Sequence, residues 1–204
     1  MKKHLQILAL AAMMVLSFAA TAQGISLPYF HDFENDETGT NTGMPTGWTR
    51  HNDATGTTNF YPCVSSSANA HSGMKFLYFY ISLTTTYANN MYAVLPGVNT
   101  GGHPMSSLEM LFWAKMGSAT STEKIIVGVM SSPDSVETFV PIDSVTVTGN
   151  VMTQYTISFE NYTGTNNYIA LLVRRGTTCT TAANIYVDDI EVRHLHSAGD
   201  LFRP

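Results

Sequence analysis

With 204 residues, 44% of them apolar and 12% charged, the chain is long enough for one domain with a sizeable core. Fifteen acidic residues against ten basic ones give a formal charge of −5, which argues against nucleic acid and anionic membranes as partners. Two cysteines, Cys63 and Cys179, without CxxC-type companions, argue against a cysteine-built zinc site.

Lys2 and Lys3 precede an apolar run over residues 5–20, closed by Ala20-Thr21-Ala22. This pattern predicts a signal peptide over residues 1–22 with cleavage before Gln23, and an exported chain, secreted or held at the outer cell surface. A membrane anchor is the competing reading, and the short apolar core and the cleavage motif disfavour it. No cysteine stands immediately after the cleavage point, which disfavours a lipid anchor, and no second long apolar run predicts a transmembrane segment in the mature chain. Loss of two lysines and no acid takes the formal charge from −5 to −7. In an oxidising compartment Cys63 and Cys179 either form a disulfide or stay as two separate buried thiols. The bond would close more than a hundred residues, for which the chain-entropy model gives about 4–5 kcal/mol.

Helix signals are nearly absent beyond the leader. Strand signals run through residues 29–34, 61–65, 74–81, 91–98, 107–114, 124–130, 139–147, 154–159, 168–173 and 185–192. Val145 and Val147 alternate with Ser144, Thr146 and Thr148, and Tyr155, Ile157 and Phe159 share one side. Gly-rich turns punctuate the runs. Ten or eleven short strands predict an all-β sandwich or barrel. Strands apolar on both parities, such as 74–81 and 107–114, are expected at the centre with cover on each face. Residues 23–193 form the expected domain, and 194–204 an irregular tail.

Several motifs then stand in a recognisable order. Residues 27–34 lead into Met44-Pro45-Thr46-Gly47-Trp48. Ala70-His71-Ser72-Gly73-Met74-Lys75-Phe76-Leu77 enters one strand, Ala93-Val94-Leu95-Pro96 lies in the next, and Leu111-Phe112-Trp113-Ala114-Lys115 in a third. Tyr186-Val187-Asp188-Asp189-Ile190 closes the series. Together they resemble the extracellular jelly-roll modules of the cleaved-adhesin and choice-of-anchor J kind, relatives in shape of the MAM domain. The resemblance implies a two-sheet antiparallel jelly roll, a structural calcium ion, and a role in adhesion or carbohydrate binding.

By match to that pattern, Glu34 and Asp188 are the leading calcium ligands, with Asp32, Asp36, Asp53 and Asp189 as further candidates. Calcium takes six to eight oxygens. Asp188 shares strand parity with Tyr186, Ile190 and Val192, which aims it at an apolar side where an unpaired carboxylate is costly. The competing reading is that these acids cap turns or pair with Arg50, Arg174 or Arg193.

Phe76, Tyr78 and Tyr80 share one strand face, and Tyr87 and Tyr92 follow nearby. Exposed, such rings stack on sugars; buried, they pack the core with hydroxyls at the rim. Trp48 and Trp113 read as core. His31, His51, His71, His103, His194 and His196 are scattered, and no HExxH, GxSxG or Walker pattern occurs. Asp188 and Asp189 alternate across a strand, so they are not expected to converge as a catalytic pair. The expectation is a non-catalytic module that binds a glycan or an extracellular protein. The alternative is an assembly module that binds other subunits without a small ligand. The oligomeric state is left open.

Overall fold

The computed structural model describes residues 24–39, 42–53, 61–81, 90–174 and 182–195. Thirteen strands follow in chain order: β1 (Ile25–Ser26), β2 (Tyr29–His31), β3 (Thr49–Asn52), β4 (Cys63–Ser66), β5 (Lys75–Ile81), β6 (Asn90–Val94), β7 (Val98–Asn99), β8 (Leu108–Met116), β9 (Thr122–Met130), β10 (Val140–Thr148), β11 (Thr153–Ser158), β12 (Tyr168–Arg174) and β13 (Ala183–His194). The two-residue β1 and β7, which pair in parallel, take the count past the eleven expected. Two 3₁₀ turns, Met105–Ser107 and Val136–Thr138, are the helical elements among the described residues. Sequence 194–204 was expected to be tail, but β13 runs through His194, and Leu195 N–H donates to Ser107 O at 2.8 Å.

The strands form a two-sheet antiparallel jelly-roll sandwich. One sheet runs β10-β9-β12-β6-β3; the other runs β11-β8-β13-β5-β4, with β2 also paired to β13. The inward residues alternate as a half-buried strand requires. Met110, Phe112, Ala114 and Met116 point inward from β8, Leu77, Phe79 and Ile81 from β5, and Ile125, Val127 and Val129 from β9. Apart from Ala114, each of these buried side chains is worth about 1.5–3 kcal/mol in transfer free energy.

Central strands are covered twice, as their apolar parities demand. Beneath the 131–139 segment, Val94, Met130 and Ala170 are buried on the outer side of the five-stranded sheet, with Tyr92, Val136, Phe139 and Tyr168 packed against them. Trp48 is core, 7% exposed, and its indole N–H donates to the Tyr29 hydroxyl at 3.1 Å.

β13 changes partner midway along one edge. Residues 183–187 pair with β5, whereas 190–192 pair with β2. The two ends of the domain therefore meet here. Against β8, the register shifts between Asp188 and Glu191: Asp188 faces Trp113 and Glu191 faces Leu111. The extra residue is a β-bulge, and Asp189 takes φ 45° within it. The bulge breaks the parity read from sequence. Ile190 and Val192 belong to the core, but Asp188 lies with Tyr186 on the outer face.

Candidate functional site

Asp188 is fully buried although it lies on the outer face, because the 70–74 turn folds over it. Its Oδ2 accepts N–H from His71 at 2.7 Å and from Ser72 at 3.1 Å; its Oδ1 accepts N–H from Asp189 at 2.8 Å. Burial pushes its carboxyl up to about 6; the three N–H donors oppose the shift and the neighbouring Asp189 charge adds to it. Asp189 holds the same turn by side chains: its Oδ2 accepts from His71 Nδ1 at 2.6 Å and its Oδ1 from Ser72 Oγ at 2.8 Å. The two acids converge on one loop after all, because the bulge removes the strand alternation that would separate them.

Glu34 grips the next residues. Its Oε1 accepts N–H from Met74 at 2.8 Å and Lys75 at 2.5 Å. Gly73, at φ 57°, is the residue that lets the carboxylate in: a Cβ there would lie 2.3 Å from Glu34 Cδ. The Lys75 ammonium then donates to the carbonyls of Glu34 at 2.9 Å and Asp36 at 2.7 Å. Carboxylates from both chain ends thus clasp residues 71–75, and the cation within the clasp is a lysine.

The remaining expected metal ligands are placed as follows. Asp32 Oδ1 accepts the Glu34 N–H at 3.2 Å, and Asp36 Oδ2 pairs with His31 Nε2 at 2.7 Å. Asp53 belongs to the other sheet, where it accepts from Asn90 N–H at 2.8 Å. Among the described residues, no three His, Cys, Asp or Glu side chains are grouped to hold a metal ion. Glu34 Oε1 and both oxygens of Asp188 and of Asp189 already accept from N–H or O–H donors. Of the arginines named as competing partners, Arg193 pairs with Glu109 at 2.7 Å, not with the clasp. Arg174 donates to Asn90 at 2.8 Å.

Beside the clasp, the outer face of the six-stranded sheet carries a strip of rings. One row across the strands reads Lys115, Tyr186, Tyr78, Cys63. Tyr186 stacks on Tyr78 at 5.8 Å and meets Phe76 edge-on at 5.0 Å. Lys115 Nζ lies 5.6 Å from the centre of the Tyr186 ring. The Tyr78 hydroxyl donates to Asn184 Oδ1 at 2.8 Å, and burial raises its pKa above the usual phenol range. Tyr80 follows on the same parity, part-exposed.

Trp113, expected in the core, lies instead on the outer face. It sits in the next row, opposite Asp188, part-exposed, with the exposed His71 ring stacked on it at 3.7 Å and 11°. Odd-numbered β8 residues face out, and the run Leu111-Trp113-Lys115 carried that signal; its apolar character hid it. Tyr92 does not join the strip: it lies on the other sheet, edge-on to Phe139 at 5.5 Å. Tyr87 and Cys179 fall outside the described residues, and with Cys179 the disulfide question. Cys63 is buried on β4, opposite Tyr78.

The arrangement offers stacking surfaces and hydrogen bonds more readily than catalysis. Ser72 Oγ donates to Asp189 Oδ1, and the His71 ring is directed at Asp189 Oδ2 and not at the serine, so the two do not form a nucleophile–imidazole pair. At the sheet edge near Gly97, Asn99, Thr163 and Asn167, a polar cleft of about 800 Å³ presents one phenol ring, Tyr168. Among the described residues, no helix is long and apolar enough to cross a membrane.

No protein-family model and no curated protein matches the chain in sequence. Solved structures do match in shape. The K2 cleaved adhesin domain of Lys-gingipain aligns with a TM-score of 0.60 at 14% identity, over 80% of this chain and 98% of that one. The K1 cleaved adhesin domain of Lys-gingipain from Porphyromonas gingivalis gives 0.59 at 14% identity, over 82% and 98%. A CBM22-1 xylan-binding domain from Paenibacillus barcinonensis gives 0.52 at 15% identity, over 83% and 95%. The chain has the β-sandwich fold of the cleaved adhesin domains, a fold it shares with that carbohydrate-binding module.

Proposed function

We propose that the protein is a non-catalytic, exported binding module whose ligand is a glycan, docked on the outer face of the six-stranded sheet. The observation that carries this is the set of part-exposed side chains Tyr78, Trp113 and Lys115 around the Tyr186 ring, which is itself only 9% exposed. Aromatic rings present apolar faces to the C–H side of a sugar, while Lys115, Asn184 and the Tyr78 hydroxyl supply polar contacts at the rim. The adhesin and xylan-binding domains of like fold support the reading at the level of fold. A glycan-array screen of residues 23–204 tests it: binding to a defined glycan class supports it, and failure to bind any glycan overturns it.

One observation favours assembly with other protein subunits as the second reading. Phe30 on β2 and Met74 in the clasped turn are 59% and 51% exposed. Concentration-dependent association, lost on Phe30→Ser, would support that reading.

For calcium, the proposal carries a built-in competitor. An ion in the clasp would have to displace the Lys75 ammonium from the Glu34 and Asp36 carbonyls. Melting in chelator and in millimolar calcium tests this, since an ion that binds only the native state raises the melting temperature.

A further inference from the structure

The histidines that look scattered in sequence are not all scattered in space. His103 lies in the turn after β7, and His194 is the last residue of β13. Gly101 and Gly102, at φ 64° and 90°, turn the chain so that the two rings meet. Their centres are 5.0 Å apart and their planes cross at 70°. Both side chains are exposed, at a cleft of about 320 Å³ that Ser26, Asn99 and Thr100 also line.

The tautomer of His194 follows from its neighbour. Ser107 Oγ lies 3.2 Å from His194 Nδ1 and 2.8 Å from the Pro104 carbonyl. A hydroxyl has one hydrogen, and a carbonyl oxygen can only accept, so the Ser107 hydrogen goes to Pro104. Toward His194 the serine oxygen is then an acceptor, and Nδ1 carries the proton. In the neutral ring, Nε2 is left with a lone pair at the cleft. Fixing one ring nitrogen by a hydrogen bond so that the other can ligate is how proteins orient metal-binding histidines.

The spacing agrees. Two imidazoles on one tetrahedral ion, with metal–nitrogen bonds of about 2.0–2.1 Å, have ring centres roughly 5 Å apart. Imidazole donors without carboxylates suit zinc, nickel or copper(II) rather than calcium or magnesium. We propose that His103 and His194 form a two-histidine site for such a borderline divalent ion, with water in its other positions. The site is separate from the aromatic strip and from the clasp, and does not depend on the glycan reading.

Titration of residues 23–204, free of any histidine tag, with zinc chloride by calorimetry tests the proposal. One saturable equivalent is expected, with side-chain NMR shifts concentrated on the His103 and His194 rings. His103→Ala and His194→Ala should each abolish it, and Ser107→Ala should weaken it by about tenfold as the orienting hydrogen bond is lost. Because both rings are exposed, melting temperatures of the variants should match the parent, which separates lost ligands from lost fold. Absence of zinc binding, or equal binding by the His103→Ala/His194→Ala double variant, would overturn the proposal.

Discussion

Asp188 Oδ2 accepts the backbone N–H of His71 at 2.7 Å across 117 residues of chain. This contact fastens the last strand to the turn that opens β5. Replacing Asp188 with Ala would leave three part-buried N–H groups without their acceptor. Since water can partly replace the carboxylate, a loss of about 1–3 kcal/mol in all is expected in denaturant unfolding. A loss below about 1 kcal/mol would show that the clasp does not hold the fold.

The same carboxyl sets a pH dependence with a definite sign. Its folded pKa of about 6 lies above the ordinary carboxyl value of 3.8, so between those values the folded state holds more protons than the unfolded state. Stability from this group is therefore greatest below about pH 4 and falls as pH rises to about 6, by roughly 2–3 kcal/mol. The slope is read from the difference between the parent and Asp188→Asn, since other carboxylates titrate in both. A parent and variant with parallel stability curves over that window would contradict the assignment.

Gly73 and Gly101 separate strain from collision. Both take positive φ, 57° and 64°, but a Cβ at 73 meets Glu34 whereas one at 101 meets nothing within 4 Å. Gly101→Ala is expected to cost about 1–2 kcal/mol, the left-handed penalty alone. Gly73→Ala should cost clearly more, because the Glu34 carboxylate must leave its two N–H donors. Equal losses in chemical denaturation would remove the close approach from the account.

Lys75→Met removes the ammonium from two carbonyls. Hydrogen bonds from a charged donor are worth about 1.5–3 kcal/mol each before solvent screening, so a net loss of about 1–3 kcal/mol is expected for this part-exposed group. Millimolar calcium should raise the melting temperature of the variant more than that of the parent, since the competitor is gone. An identical calcium response in both proteins would show that the lysine and the ion do not share a position.

Much of the sandwich was legible because burial imposes alternation: Tyr155, Ile157 and Phe159, or Leu77, Phe79 and Ile81, could hardly be arranged otherwise. The meeting of residues 29–34 with 185–192 was implied by the resemblance, which set Glu34 and Asp188 at one site. The bulge at Asp188 and Asp189 was not, because one inserted residue leaves no mark on composition yet reverses every face beyond it. Asp188 was thus aimed at the wrong side, and its convergence with Asp189 was missed. Trp113 was misread because an outer face packed with rings has the apolar pattern of a core. The proximity of His103 and His194 depends on strand order, which no local spacing encodes.

The central claim is that the outer face of the six-stranded sheet binds a glycan, and amide NMR mapping with the best array ligand tests it most directly. The account predicts shifts concentrated at Tyr78, Trp113, Lys115, Asn184 and Tyr186, and binding at least about tenfold weaker in Lys115→Ala, from loss of one charged hydrogen bond of about 1.5–3 kcal/mol. Shifts confined to the cleft at Gly97, Asn99, Thr163 and Asn167, with Lys115→Ala binding as the parent does, would contradict it.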